Sequence, residues 1–264
     1  MSVPIYIITL STASHRRAFQ EAQASRLGFS PIWHPAMGIH DFSDEVFLQH
    51  AFSWQRALKK TEVGCFLSHL QIWQLIAESS SPAVVLEDDA ILADEWLCTI
   101  ETLTEFQEAD VINLEAVGKK QLGKLKQHGG FTLRRLVLNS SGAGAYLIWP
   151  QGARKLLNRY SNCGAALADV FINETRDLQS WQLVPAIAIQ QCMLPYYGLA
   201  TQDEGLSQIS REQFASPLPP SIRIALGMRI RRLIGEMQKG FIKLWGLISH
   251  QRQFIPFQTH QRHS

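Results

Sequence analysis

Residues 84–92 read Val-Val-Leu-Glu-Asp-Asp-Ala-Ile-Leu, so Glu87, Asp88 and Asp89 stand side by side between two apolar runs. Like charges at the edge of a core repel one another unless a cation or a set of hydrogen-bond donors compensates. Side chains alternate along a strand, so a strand ending here puts Glu87 and Asp89 on one face and Asp88 on the other. Paired carboxylate oxygens suit a hard divalent ion, Mn2+ or Mg2+, above all where phosphate oxygens complete its shell. Acids also favour helix N-termini, and an isolated Glu-Asp-Asp is more often a solvated turn leading into a helix N-cap.

Other residues have the right chemistry for a site around these acids. Asp169, in Ala-Leu-Ala-Asp-Val-Phe-Ile, is an acid among apolar neighbours and a candidate general base, with a helix N-cap as its plainer role. Asp203 and Glu204, in a polar stretch, are weaker candidates for the same task. His69 suits a hydrogen bond to a nucleotide or to a neighbouring acid, and a core histidine satisfied by backbone is the alternative. Arg16 and Arg17 offer planar forks for a diphosphate, one of them being better suited to a solvated helix face. Tyr146 is a candidate for lining a sugar site, as are Trp33, Trp149 and Trp181, although large aromatics usually belong to the core. Gly142 and Gly144 permit close backbone approach or a turn. Glu62 reads as a first-turn helix acid.

These residues need a scaffold, and the pattern predicts an α/β one. Residues 3–10 are apolar on both faces, as in an interior strand of a parallel sheet. A hydroxyl-rich turn and a helix closed by Gly28 follow, the opening βα unit of many nucleotide-binding folds. Residues 29–38 hold a short second strand. Apolar residues from Val63 to Ile76 recur at three- and four-residue intervals, which predicts a helix over 61–78 with Thr61 as its N-cap. The acids then fall at the carboxyl end of the strand 83–89, where open α/β sheets collect ligands. A helix near 94–107, a strand near 109–118, a surface loop over the Lys- and Gly-rich 119–130, a strand leading into a helix at Pro150, and one late strand near 181–191 complete the body. No internal repeat is present.

With 264 residues, 46% of them hydrophobic and 18% charged, the chain has ample material for a core. Its four cysteines, Cys65, Cys98, Cys163 and Cys192, lack zinc-type spacing and read as buried thiols in a reducing compartment. The N-terminal apolar run is too short for a signal peptide or a membrane span, so a cytoplasmic protein is expected. Prolines 217, 219 and 220 divide a domain, 1–216, from an extension, 217–264. From residue 220 onward eight Lys and Arg face one acid, Glu236, which leaves the first 219 residues net acidic. In that extension Ile222, Leu226, Ile230, Leu233, Met237, Phe241, Leu244 and Ile248 form an apolar stripe interleaved with cations. A basic amphipathic helix of this kind fits an anionic membrane surface, or packs in part on the body. Nucleic acid is a poor partner for a net-acidic body.

The segments Thr-Glu-Val-Gly-Cys-Phe-Leu-Ser-His-Leu (61–70) and Val-Val-Leu-Glu-Asp-Asp (84–89) resemble glycosyltransferase family 25, the lipooligosaccharide β-galactosyltransferases and related collagen galactosyltransferase domains. Ile-Tyr-Ile-Ile-Thr-Leu near the start, Gly-Ala-Gly-Ala-Tyr-Leu-Ile at 142–148 and Ala-Asp-Val-Phe-Ile at 168–172 extend the resemblance in the family's order. It implies a GT-A-type, Rossmann-like domain, a UDP-sugar donor and a divalent metal at an Asp-x-Asp-like site. Here Glu87-Asp88-Asp89 takes the place of that motif, with Glu87 and Asp89 as metal ligands. Thr9 stands where the family commonly has Asn. The resemblance further implies donor contacts from Thr9, Arg16, Arg17, Glu87, Asp88 and Tyr146, and catalytic roles for Asp169 and His69. The expected enzyme is an inverting galactosyltransferase acting on a lipooligosaccharide or lipopolysaccharide acceptor at the inner face of the cytoplasmic membrane. A glucosyl- or N-acetylhexosaminyl-transferase, a metal-dependent phosphohydrolase and a carbohydrate-binding module are the rivals. The phosphohydrolase would release phosphate without an acceptor, and the binding module would consume no UDP-sugar.

Overall fold

The computed structural model describes residues 3–138, 141–200 and 216–259, with only the backbone described at 138 and 241–249. Asp203 and Glu204 therefore lie outside the described residues, as do the side chains of Phe241, Leu244 and Ile248. The fold is mixed α/β around a nine-stranded sheet. Strand β1 (Ile5–Thr9) leads into helix α1 (Ser14–Leu27), and β2 (Ile32–Pro35) returns parallel to β1 at the sheet edge. Helix α2 (Asp44–Ala51) and the long α3 (Lys60–Glu78) precede β3 (Ala83–Glu87), which lies parallel to β1 on its other side. Then come β4 (Ala90–Leu92), α4 (Trp96–Thr104), β5 (Val111–Asn113), β6 (Lys119–His128), β7 (Phe131–Leu138), β8 (Ala145–Ile148), α5 (Pro150–Cys163) and α6 (Ala168–Glu174). Strands β9 (Ser180–Val184) and β10 (Ala188–Gln190), helix α7 (Ile222–Ser249) and β11 (Gln251–Phe254) complete the chain. The sheet order is β11-β6-β7-β9-β5-β8-β3-β1-β2, with β4 and β10 forming a separate antiparallel pair.

Two apolar layers clamp the sheet. Phe66, Ile72, Trp73 and Ile76 of α3 pack with Val85, Tyr146 and Phe171 on one side, while Trp96, Ile100 and Leu103 of α4 pack with Ile7, Leu86 and Trp181 on the other. Each fully buried side chain of this size contributes roughly 1.5–3 kcal/mol. Gly64 lets α3 come close: a Cβ there would lie 2.2 Å from the Met37 carbonyl oxygen. That approach seats the first turns of α3, including Cys65 and His69, beside the end of β3.

Several expectations need correction. Residues 119–130 are not a loop: β6 and β7 form an antiparallel hairpin turned by Gly129 and Gly130, both at positive φ. Lys residues on alternate positions mask the strand pattern, and the inward-facing Lys120 is itself buried. Helix α3 starts one residue earlier than expected, so Lys59 and not Thr61 is its N-cap; Glu62 accepts the Lys59 N–H at 2.8 Å and also pairs with Arg56. The late strand is two strands, β9 and β10, separated around Pro185. The four cysteines are exposed, not buried. Trp149 and Trp181 belong to the core, and Trp33 lies under the Arg17 guanidinium, 4.6 Å from its ring centre.

Beyond α7 the chain returns to the body: β11 pairs with β6, and Ile255 is buried with Ala116 and Leu122. Helix α7 itself is held by Arg231, which donates to the Phe52 and Trp54 carbonyls, by Met228, and by Lys239 against Glu174. Ile222, Leu226, Ile230, Leu233, Ile234 and Met237 remain exposed along it. Among the described residues no helix is long and apolar enough to cross a membrane.

Candidate active site

Register brings the acids to the end of β1. Ile8 pairs with Glu87, so Thr9 and Asp88 emerge side by side where the two parallel strands finish. Asp88 turns toward α1 and is buried: Oδ2 accepts from Thr9 Oγ1 at 2.8 Å, and Oδ1 pairs with Arg16 Nη1 at 2.7 Å. Gln20, at the buried side of α1, donates to the carbonyls of Asp88 (3.0 Å) and Ala90 (2.8 Å), which pins the turn. Arg17 points elsewhere, exposed over Trp33 with Glu21 at 3.2 Å.

Glu87 faces the opposite way, as strand alternation requires. Its Oε1 lies 3.4 Å from His69 Nε2, and its Oε2 accepts from Gln190 Nε2 at 2.9 Å. His69 is fully buried, with Nδ1 2.9 Å from the Tyr146 hydroxyl, which also accepts the Trp73 Nε1–H at 2.9 Å. Tyr146 is thus buried behind His69. Its hydroxyl pKa is raised well beyond the ordinary tyrosine value, chiefly by burial.

Asp89 carries the unresolved charge. Its Oδ1 is buried with no hydrogen-bond partner. Burial first and the Glu87 carboxylate second push its pKa up to about 7; Asp88 adds to the rise and Arg16 opposes it. Asp169, in the first turn of α6, accepts the Val170 N–H at 2.7 Å, and Leu167 occupies the N-cap position. Burial raises the Asp169 pKa, the Val170 bond works against the rise, and the charge of Glu87 adds to it, so the α6 acid shares the field of the β3 acids. Gly144 comes so close that a Cβ on it would sit 2.6 Å from Gln190 Nε2.

A second acid lies behind. Glu115 is buried; one oxygen accepts the Gly144 N–H at 3.0 Å, and the other has no partner. Burial raises its pKa, opposed by Lys120, whose own pKa burial lowers. Lys120 Nζ donates to Asn113 Oδ1 (3.0 Å) and Gln182 Oε1 (2.7 Å).

For a cation, Glu87 and Asp89 supply hard oxygens, and the unpartnered Asp89 oxygen beside a second carboxylate is what such an ion would satisfy. Among the described residues the ligand atoms of Cys65, His69 and Glu87 also lie within 4.8 Å of one another. Cys65 is open to solvent yet set deep in the protein mass; that burial and the carboxylates of Glu87, Asp169 and Asp89 raise its thiol pKa. The arrangement therefore brings Thr9, Arg16 and Asp88 together on one side and His69, Glu87 and Tyr146 on the other, with Asp89 and Asp169 near the latter; Arg17 stands apart. Sequence reasoning missed Gln20, Gln190, Cys65 and Glu115. Cys65 lies four residues before His69 on one helix face, a readable signal; Gln190 arrives through a distant strand and gives none.

The sequence pattern of glycosyltransferase family 25 (LPS biosynthesis protein) matches residues 2–172, most of the chain and the site residues from Thr9 to Asp169. The chain belongs to glycosyltransferase family 25. The family member is 25% identical over 209 residues to lipooligosaccharide biosynthesis protein lic2B of Haemophilus influenzae, covering 72% of this chain and 76% of that one. It is 30% identical over 164 residues to lipooligosaccharide biosynthesis protein lex-1 of Haemophilus influenzae, covering 54% of this chain and 53% of that one. It is 36% identical over 107 residues to the human inactive glycosyltransferase 25 family member 3, covering 39% of this chain but only 18% of the human protein's length. The inositol-1-phosphate CTP transferase from T. maritima superposes with a TM-score of 0.41 at 11% identity over 72% of this chain and 89% of that one, too distant to bear on function.

Proposed function

We propose that this family 25 protein is an inverting, GT-A-type galactosyltransferase that moves galactose from UDP-galactose to a lipooligosaccharide or lipopolysaccharide oligosaccharide. The observation that carries the reading is the pair Glu87 and Asp89 at the carboxyl end of β3, with an Asp89 oxygen buried and unpartnered and its pKa raised to about 7. The likeness to lic2B and lex-1 supports the acceptor class.

Glu87 and Asp89 would hold Mn2+ or Mg2+, and such an ion would supply positive charge to offset what grows on the departing diphosphate. Glu87 is kept in place by Gln190 and His69. Thr9, Asp88 and Arg16 form the donor-side wall, Asp88 acting through the arginine and threonine it holds. Asp169 takes the proton from the acceptor hydroxyl as that oxygen bonds to the anomeric carbon and the carbon–diphosphate bond breaks. A pKa raised by burial brings a carboxylate toward the value a general base needs near neutrality. Tyr146 lies too deep to stack on a sugar and serves the site through His69.

The exposed stripe on α7 and its cations support peripheral attachment to an anionic membrane face, where a lipid-linked acceptor is concentrated. The test of donor and acceptor is a panel of UDP-sugars offered with a deacylated oligosaccharide, with the product's linkage and anomeric configuration read by NMR. Transfer from UDP-galactose with a β-linked product is expected. UDP-galactose left unconsumed while another UDP-sugar is transferred overturns the galactosyl assignment, and a retained configuration overturns the direct displacement.

A further inference from the structure

Four side chains behind the acids form a line of hydrogen bonds: Trp73 Nε1 to Tyr146 Oη at 2.9 Å, Tyr146 Oη to His69 Nδ1 at 2.9 Å, and His69 Nε2 to Glu87 Oε1 at 3.4 Å. Trp73, Tyr146 and His69 are all fully buried, so water does not complete their bonding. The direction of the line follows from what each group is able to do. An indole N–H only donates, so the Tyr146 oxygen must accept from Trp73. The hydroxyl proton of Tyr146 then needs an acceptor, and among the described residues His69 Nδ1 is the one within reach. A nitrogen that accepts carries no proton, which leaves the ring's single proton on Nε2, facing the Glu87 carboxylate. The opposite tautomer would strand the hydroxyl proton in the core and turn a lone pair of Nε2 toward an anionic oxygen. A doubly protonated ring would strand the same proton.

We infer that Trp73 and Tyr146 lock His69 as its neutral Nε2–H tautomer, making it a positioning residue that donates to Glu87 and has no free nitrogen with which to serve as a base. The lock rests on burial and donor inventory alone. Its value to the proposed reaction is that Glu87, with Gln190 holding its other oxygen, is fixed from two sides and its remaining lone pairs are left for a cation. Outer groups that orient a metal-binding side chain in this way typically change metal affinity 10- to 100-fold when removed.

The experiment is 15N NMR of histidine-labelled full-length protein at neutral pH, without added metal or donor. The His69 signals are assigned by their loss in His69→Gln. The expected result is a pyridine-like Nδ1 and a protonated Nε2 in the wild type. A protonated Nδ1, or a ring protonated at both nitrogens, overturns the lock. In Tyr146→Phe the Nδ1 lone pair loses its donor while Nε2–H keeps Glu87 as acceptor, so the Nδ1 signal moves downfield toward that of a pyridine-type nitrogen without a hydrogen bond. Mn2+ binding, read by paramagnetic relaxation of water, weakens about tenfold as the ring loses its anchor. An Nδ1 signal that does not move in a folded Tyr146→Phe also overturns it. If that variant does not fold, the wild-type spectrum alone decides. An Nε2–H signal in a protein that binds no Mn2+ supports the lock and sinks the cation site, so the two fail separately.

Discussion

Replacing Asp89 by Asn should make the metal-free fold more stable, although it removes a residue proposed to be essential. Asp89 is held with its pKa pushed from 3.8 to about 7 by burial and by Glu87. A carboxyl raised in this way binds its proton more tightly folded than unfolded, so its ionisation costs stability as pH climbs from about 4 to 7 and the full cost is present above 7. At 1.36 kcal/mol per pKa unit the ceiling is about 4 kcal/mol. The Arg16 attraction is already contained in that shift; the Asn amide must itself be buried in the same place, which brings the expected gain down to about 1–2 kcal/mol. For a chain of this size that is roughly 2–4 °C in Tm. The assay is thermal unfolding of both proteins in chelator at pH 8 and pH 5. The variant should unfold later at pH 8, and the gap should narrow at pH 5, where wild-type Asp89 is already protonated. Added Mn2+ should raise the wild-type Tm and leave the variant's unchanged. Destabilisation at pH 8, or a gap equal at both pH values, refutes the view that Asp89 is an uncompensated buried charge.

Asp169→Asn should bind UDP-sugar normally while transfer falls by about two to four orders of magnitude, read by calorimetry and turnover; weakened donor binding with normal saturated turnover would move Asp169 to the donor site. Lys120→Met should cost about 3 kcal/mol in urea unfolding, because Asn113, Gln182 and Glu115 lose their buried cation; a neutral effect would mean that the pair is dispensable. Exchanging Leu226, Ile230, Leu233 and Met237 for Gln should release the protein from anionic vesicles and leave activity on a soluble acceptor intact, measured by flotation and turnover. These positions are exposed, whereas β11 and Ile255 belong to the body, so substitution tests the stripe without the unfolding that deletion of the whole extension invites.

What the sequence made legible was local. The β1–α1 opening, the periodic α3 and the acids at the end of β3 follow from patterns within twenty residues, and the structure has each of them. Alternation also separated Glu87 from Asp88 correctly, since the two carboxylates engage opposite partners. The β6–β7 hairpin was illegible because its outward Lys residues look like a solvated loop, and because the inward Lys120 breaks the rule that strands bury apolar residues. Gln190 reaches Glu87 across 103 residues, through a strand that pairs with β4, and no spacing announces it. The expectation of buried thiols failed for a related reason. Cys65 lies on a helix whose neighbours are core, yet it is exposed, with its sulfur near the ligand atoms of His69 and Glu87.

The most direct test of the central claim is turnover of UDP-galactose onto an oligosaccharide acceptor, titrated with Mn2+ and Mg2+ after chelation, for the wild type, Glu87→Gln and Asp89→Asn. The account predicts turnover that depends on the cation and falls by about two orders of magnitude or more in each folded variant. Wild-type turnover in chelator, retained by both variants, would contradict it.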